Sequence, residues 1–258
     1  MNMMRGLLAA ALFAVTASAQ TPASVSVLIP IVGSIVGAND VRWRTAVELR
    51  NDTREEMFVA LRLPTAADQP AIAFTLPPGT TQSFADVINE GFGIDAALSP
   101  LIVQTMGKRS VRVAANVYGL RGAALTRPEP IPITYGDSTY PLRRLDGLSF
   151  SDAFRTNIGL VNLSDRTATF TLGLQRLSGR NIAVARIMLP ANSLVHNSIQ
   201  SLFPVIAKGD DFTVVIETSA TNTYVYASVI DNASSEARFV SPAIGTVQPQ
   251  YGILVSHE

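Results

Sequence analysis

The chain has 258 residues, with 20 basic and 20 acidic side chains, no cysteine, and charged residues making up only 16% of the total. Sparse, balanced charge with no Lys/Arg cluster excludes a phosphate-tracking nucleic-acid surface, and no basic amphipathic helix offers a membrane-surface anchor. Lack of cysteine excludes disulfides and a cysteine-linked lipid anchor, so stability must come from apolar burial, which two domains of ordinary size can supply.

Residues 1–19 read as a secretory signal peptide. Arg5 supplies the positive start, Gly6 to Thr16 the apolar stretch, and Ala17-Ser18-Ala19 a small-x-small cleavage site, which predicts a mature start at Gln20. The expectation is export to the periplasm or beyond, with no membrane span in the mature chain, since no later stretch is long and apolar enough.

Ser24 to Asp40 opens the first unit, expected as an edge strand plus a loop. Trp43 to Asn51 follows as a strand ending in a turn residue. Met57 to Leu63, Ala71 to Leu76, Leu101 to Thr105 and Val111 to Tyr118 are further strand-like runs. Met57, Val59, Leu61 and Leu63 share one face at period two, the pattern of a half-buried strand. Asn51-Asp52 and Pro77-Pro78-Gly79 supply turn chemistry. Ser83 to Glu90 carries the one helical hint of the unit. Residues 121–140 contain Pro128, Pro130 and Pro132, which cannot donate to a central ladder, so this stretch is linker or sheet edge.

Residues 141–150 then open a second unit. Phe154 to Asn162, Thr167 to Leu174, Ala183 to Leu189, Phe212 to Thr218 and Tyr224 to Asp231 are its strands, Ser198 to Phe203 its helical hint, and Arg238 to Pro242 a closing strand. Residues 247–258 form a tail.

The second unit restates the first. Trp43-Arg44-Thr45 closing on Asn51 recurs as Phe154-Arg155-Thr156 closing on Asn162, an offset of 111 positions. Val59, Leu61 and Leu63 fall on Phe170, Leu172 and Leu174 at the same offset, and Val113, Ala115 and Val117 fall on Val225, Ala227 and Val229 at 112. An offset that wanders only by loop insertions marks a repeated domain. Many short strands separated by turns give the fold class: all-β, two tandem Ig-like or fibronectin-like antiparallel β-sandwich domains (residues 20–120 and 141–246) related by internal duplication. Val47, Leu49, Ile158 and Leu160 are the expected core, each stabilising by roughly 1.5–3 kcal/mol through burial.

Chemistry is sparse. The two histidines are His196, in a loop, and His257, the penultimate residue. No G-x-S-x-G elbow accompanies His196, and the repeat does not carry it, so it is read as an ordinary loop histidine and no catalytic residue is assigned. No His or Cys pair has zinc spacing, and Asp210-Asp211 and Asn51-Asp52 read as solvated turn carboxylates rather than a calcium site. No phosphate loop or dinucleotide fingerprint occurs, so no cofactor is expected. Asn51, Asn162 and Asn232 head Asn-x-Ser/Thr sequons, but two of them occupy one position of the repeat and read as residues capping their own turns, with Thr53 or Ser164 assisting. Arg143-Arg144 is an isolated basic pair, read as solvated. Trp43, exchanged for Phe154 in the repeat, reads as a packed aromatic rather than a sugar platform. Tyr224 and Tyr226 alternate with the buried Val225, Ala227 and Val229 and so point the other way, where unit one carries Arg112 and Ala114. They are the candidate ligand-binding surface, with contact to the other domain or the linker as the competing, preferred reading.

Together, the signal peptide, Ile29-Pro30 before a Gly-rich turn, the two Arg-Thr strands, Leu76-Pro77-Pro78-Gly79 and Tyr226-Ala227-Ser228-Val229-Ile230-Asp231-Asn232 resemble a group of uncharacterised exported bacterial proteins with tandem Ig-like β-sandwich units. The resemblance implies fold and export and carries over no active residue. The expected function is a non-enzymatic module for adhesion, envelope scaffolding or ligand binding, with an envelope polysaccharide or protein as partner. The alternatives are a carbohydrate-binding protein using exposed tyrosines, and a secreted hydrolase without a recognisable motif.

Overall fold

A computed structural model describes residues 24–66, 68–107, 110–135, 142–176 and 181–244. Residues 1–19, expected as a signal peptide, the tail at 247–258 and His257 lie outside the described residues. Within them the chain is mostly β, and every strand pairing is antiparallel.

The first unit contains β1 (Ser24–Val36), β2 (Arg42–Arg50), β3 (Met57–Arg62), β4 (Ile72–Leu76), β5 (Thr81–Phe84), β6 (Ala97–Met106) and β7 (Arg112–Arg121), followed by the short β8 (Ala124–Leu125), β9 (Glu129–Pro130) and β10 (Thr134–Tyr135). The second contains β11 (Leu142–Phe150), β12 (Phe154–Asn162), β13 (Ala168–Gln175), β14 (Asn181–Leu189), β15 (Ser193–Ser198), β16 (Gly209–Thr218), β17 (Thr223–Asp231), β18 (Ala237–Val240) and β19 (Ala243–Ile244).

In the second unit one sheet runs β14-β13-β16-β11-β19 and the other β15-β12-β17-β18. The first unit has the corresponding runs β4-β3-β6-β1 and β5-β2-β7, but here β1 joins them into one 10-stranded sheet. This corrects the expectation that Ser24 to Asp40 forms an edge. Strand β1 pairs with β6 from Ser24 to Ser34, and Ser34 to Val36 also pair with β2. The register breaks between Ile29 and Val32, where Pro30 has no N–H to offer the ladder and the strand can turn from one layer to the other.

Two apolar clusters fill the spaces between layers. Val47, Leu49, Val59, Leu61 and Leu101 lie in one, and Ile158, Leu160, Phe170, Leu172 and Val225 in the other. All four side chains expected as core, Val47, Leu49, Ile158 and Leu160, are buried.

The repeated motif has a physical job at both ends of its strand. Thr45 Oγ1 accepts a hydrogen bond from the Gly33 amide (2.9 Å) and donates to the Gly33 carbonyl (3.3 Å). Thr156 does the same to Ser149, at 3.0 and 2.7 Å. Each threonine thereby satisfies backbone groups of the irregular stretch of β1 or β11. At the other end, Asn51 donates to the carbonyls of Glu55 and Leu76 and accepts from the amide and hydroxyl of Thr53. Asn162 donates to Arg166, Leu189 and Pro190 and accepts from both groups of Ser164. Both asparagines are fully buried, as side chains that cap their own turns. A buried amide donating to two or three carbonyls is closed to glycosylation in the folded chain.

The helical hints form a turn at Val87–Gly91, capped by Asp86, and one at Ile199–Leu202, capped by Ser198. Residues 121–135 do not hang free. β8 and β9 pair with β7, and β10 pairs with β1, so this stretch is sheet edge.

Candidate functional site

Along β12 and β17 alternate residues face away from the second unit's core. They are Arg155, Asn157, Gly159 and Val161 on β12, and Tyr224, Tyr226, Ser228 and Ile230 on β17. In the first unit the matching face meets solvent: Glu48, Arg112 and Ala114 are exposed. In the second it meets the first unit. Val161, Tyr224 and Tyr226 form an apolar cluster with Leu28, Ile31, Leu163, Leu194 and Phe239. Glu129 on β9 also accepts a hydrogen bond from the Phe239 amide at 2.9 Å.

This arrangement corrects the picture of an exposed tyrosine platform. Tyr224 is 5% exposed and Tyr226 1%. Both point away from their own core, as the alternation requires, but the other unit covers them. Tyr226 is held by three neighbours. Gly159 lies directly across the ladder from it, and the tyrosine ring fills the place a side chain there would take. His196 sits beyond Gly159 on β15, with Nδ1 2.9 Å from the Tyr226 hydroxyl. Phe239 stacks on the other side, with ring centroids 5.2 Å apart and planes 12° from parallel.

Beside this stack a cleft of about 340 Å³ opens between the units. Ile31, Ile35, Trp43, Leu98 and Ile131 give the first unit's wall an apolar character. The second unit's wall is mixed: Tyr226, Phe239 and Ile230 stand beside Arg155, Asn157, Ser228 and His196. Trp43, the only tryptophan in the chain, is half-buried here. Its indole lies so close to Gly37 that a Cβ at that glycine would fall 2.6 Å from the indole nitrogen. Trp43 is thus part of a cleft wall, and its counterpart Phe154 is 37% exposed. Phe154 lines a smaller and more charged recess of about 310 Å³ with Arg127, Glu129, Asp231 and Arg238.

Burial sets the electrostatics. It pushes the His196 imidazole down to about 4, so the ring is neutral at ordinary pH. With its proton on Nε2, Nδ1 accepts from the Tyr226 hydroxyl, whose own pKa burial raises. Arg155 has its pKa lowered by burial, against the pull of Asp231, and it donates to Asn232 Oδ1 at 2.7 Å. The Asp231 Oδ1 that faces its own turn accepts from the amides of Ala233 and Ser234. Arg143 is 3% exposed, which corrects its reading as half of a solvated basic pair. It donates to Thr223 Oγ1 at 3.2 Å beside Tyr224, and burial brings its pKa to about 10. Arg144 is the solvated member, paired with Asp146 at 2.6 Å.

The hydrogen-bond partner of His196 is the Tyr226 phenol, so the pair does not form the Ser-His arrangement of a hydrolytic triad. Among the described residues no three His, Asp or Glu side chains converge as metal ligands. Asp210 and Asp211 are exposed, but they lie at the start of strand β16 and not in a turn as expected. Comparison of the chain with family models, with curated proteins and with solved structures finds no match.

Sequence reasoning reached Tyr226 and missed the rest of the cleft. Arg155, Asn157, Ser228 and Phe239 look like ordinary outward positions of strands until the other unit is placed over them. One signal was available: His196, Gly159 and Tyr226 stand where the first unit has Ser83, Glu48 and Ala114, so the matching faces of the two units differ in chemistry.

Proposed function

We propose that this is an exported, non-enzymatic ligand-binding module in which one Ig-like β-sandwich has been duplicated, and that its ligand sits in the cleft between the two copies. The observation that carries the reading is the cleft itself. Its volume falls at the lower end of the range of small-molecule sites, its walls are largely apolar, and a few polar groups converge from one side. Duplication is supported by the matching strand order and by the paired Thr45/Thr156 and Asn51/Asn162 networks. Export is supported by the N-terminal sequence alone.

The reading explains why two copies are joined. The walls of the cleft come from both units, so neither forms it alone. Adhesion or scaffolding would use the outer surfaces and would leave the cleft without a role.

Native mass spectrometry of the mature protein, recovered from the extracytoplasmic fraction of its own host, tests this. A small-molecule adduct is expected on the parent and not on Ser228→Trp, whose indole would fill the cleft. An adduct on both, or on neither, contradicts the cleft as the site.

A further inference from the structure

Building on the cleft as the binding site, we infer that it takes a small monocarboxylate with an apolar body, the carboxylate directed to Arg155 and the body laid between Trp43 and the Tyr226–Phe239 stack.

The cleft is segregated by chemistry. Every side chain that the first unit sends into it, except Thr45, is hydrocarbon or indole, and Thr45 is committed to the Gly33 backbone. The polar groups all belong to the second unit and lie together on its outer sheet face: Asn157 pairs across the ladder with Ser228, and Arg155 is two residues before Asn157 on the same face. The ligand must therefore be apolar along one side and polar at one end.

Charge selects the polar end. Arg155 is the only charged group among the lining residues, since His196 is neutral there. Arg155 spends one N–H on Asn232, and a guanidinium has five. The side chains of Asn157 and Ser228 make no hydrogen bond to any described residue, although both stand half-buried on the cleft wall. One cation beside an amide and a hydroxyl with free donors matches a carboxylate, which accepts at both oxygens and needs a counter-charge when drawn out of water. Asp231 pulls on the Arg155 charge from the neighbouring recess, outside the cleft, and a neutral sugar would set its hydroxyls against Ile31, Ile35 and Leu98.

Trp43 makes the test direct, because it is the only tryptophan in the chain and it lines the cleft. Its emission is followed while decanoate or 1-decanol is added to the mature protein. The inference predicts a saturable shift with decanoate at a concentration about tenfold or more below that for decanol, the ratio a charge-assisted hydrogen bond supplies. Arg155→Met should abolish the preference for the acid over the alcohol. Equal responses to acid and alcohol overturn the carboxylate assignment and leave the cleft as an apolar site. No saturable response to either also overturns it, and the native mass spectrum then decides separately whether the cleft binds anything.

Discussion

The ring of Tyr226 lies across Gly159 so closely that a Cβ on the glycine would fall 2.0 Å from the ring. No side chain other than hydrogen fits at 159 while the tyrosine stays in place. Gly159 thus links the second unit's sheet to the interface with the first: it lets Tyr226 lie flat between His196 and Phe239. Gly159→Ala should displace the ring, cost roughly 1–3 kcal/mol through overpacking, and break the His196 contact. Urea unfolding of the variant measures the cost. Glu48→Ala, at the matching solvent-exposed position of the first unit, should stay within about 0.5 kcal/mol of the parent.

The buried asparagines give a second prediction. Asn162→Ala strands three carbonyls and the two donor groups of Ser164 that its side chain now serves. The expected loss is roughly 2–3 kcal/mol, and Asn51→Ala should lose a similar amount. A thermal melt that is unchanged in either variant would remove the capping role argued from their hydrogen bonds.

Thr156→Val tests the other end of the same strand. Valine keeps the volume of the buried Thr156 but leaves the amide and carbonyl of the half-buried Ser149 without their partner. A loss of about 1–3 kcal/mol is expected, and Thr156→Ser, which keeps the hydroxyl, should recover most of it.

His196 should make stability depend on pH. In the unfolded chain the imidazole takes up a proton near pH 6.5, whereas in the folded chain burial delays this to about 4. Between those values the unfolded state binds more protons, so stability rises with pH from about 4 to 6.5 and this contribution is complete above 6.5. Tyr226 and Arg155 face the same region and do not titrate in that window. The difference in unfolding free energy between parent and His196→Asn, measured at a series of pH values, should change through this window and flatten above it. A difference constant from pH 4 to 7 would contradict the half-buried, neutral imidazole.

Sequence carried much of the fold because local chemistry decides it. The alternation in Met57 to Leu63 and Thr167 to Leu174 put the right side chains inside, and Asn51 and Asn162 cap their turns through contacts within a few residues or at the next strand. Two placements escaped. Strand β1 read as an edge because its bend at Pro30 looks like an ending, while long-range pairing with β6 and β2 makes it central. Arg143 read as solvated because a basic pair looks the same whichever way it points, and only the approach of β17, with Thr223 and Tyr224 against Arg143, tells which one is buried.

The candidate site was legible only in part for a related reason. Period-two alternation tells that Tyr226 faces away from its own core; it does not tell what waits on the other side. The walls of the cleft come from strands more than 100 positions apart, such as Ile31 and Phe239, and no local pattern brings them together.

The most direct test of the account is a crystal structure of the protein purified from its own host without ligand exchange. The account predicts the two units packed across Tyr226, with the ring over Gly159, and elongated density between Trp43 and Phe239 ending at Arg155. A cleft holding only water, or units set apart so that Tyr226 meets solvent, would contradict it.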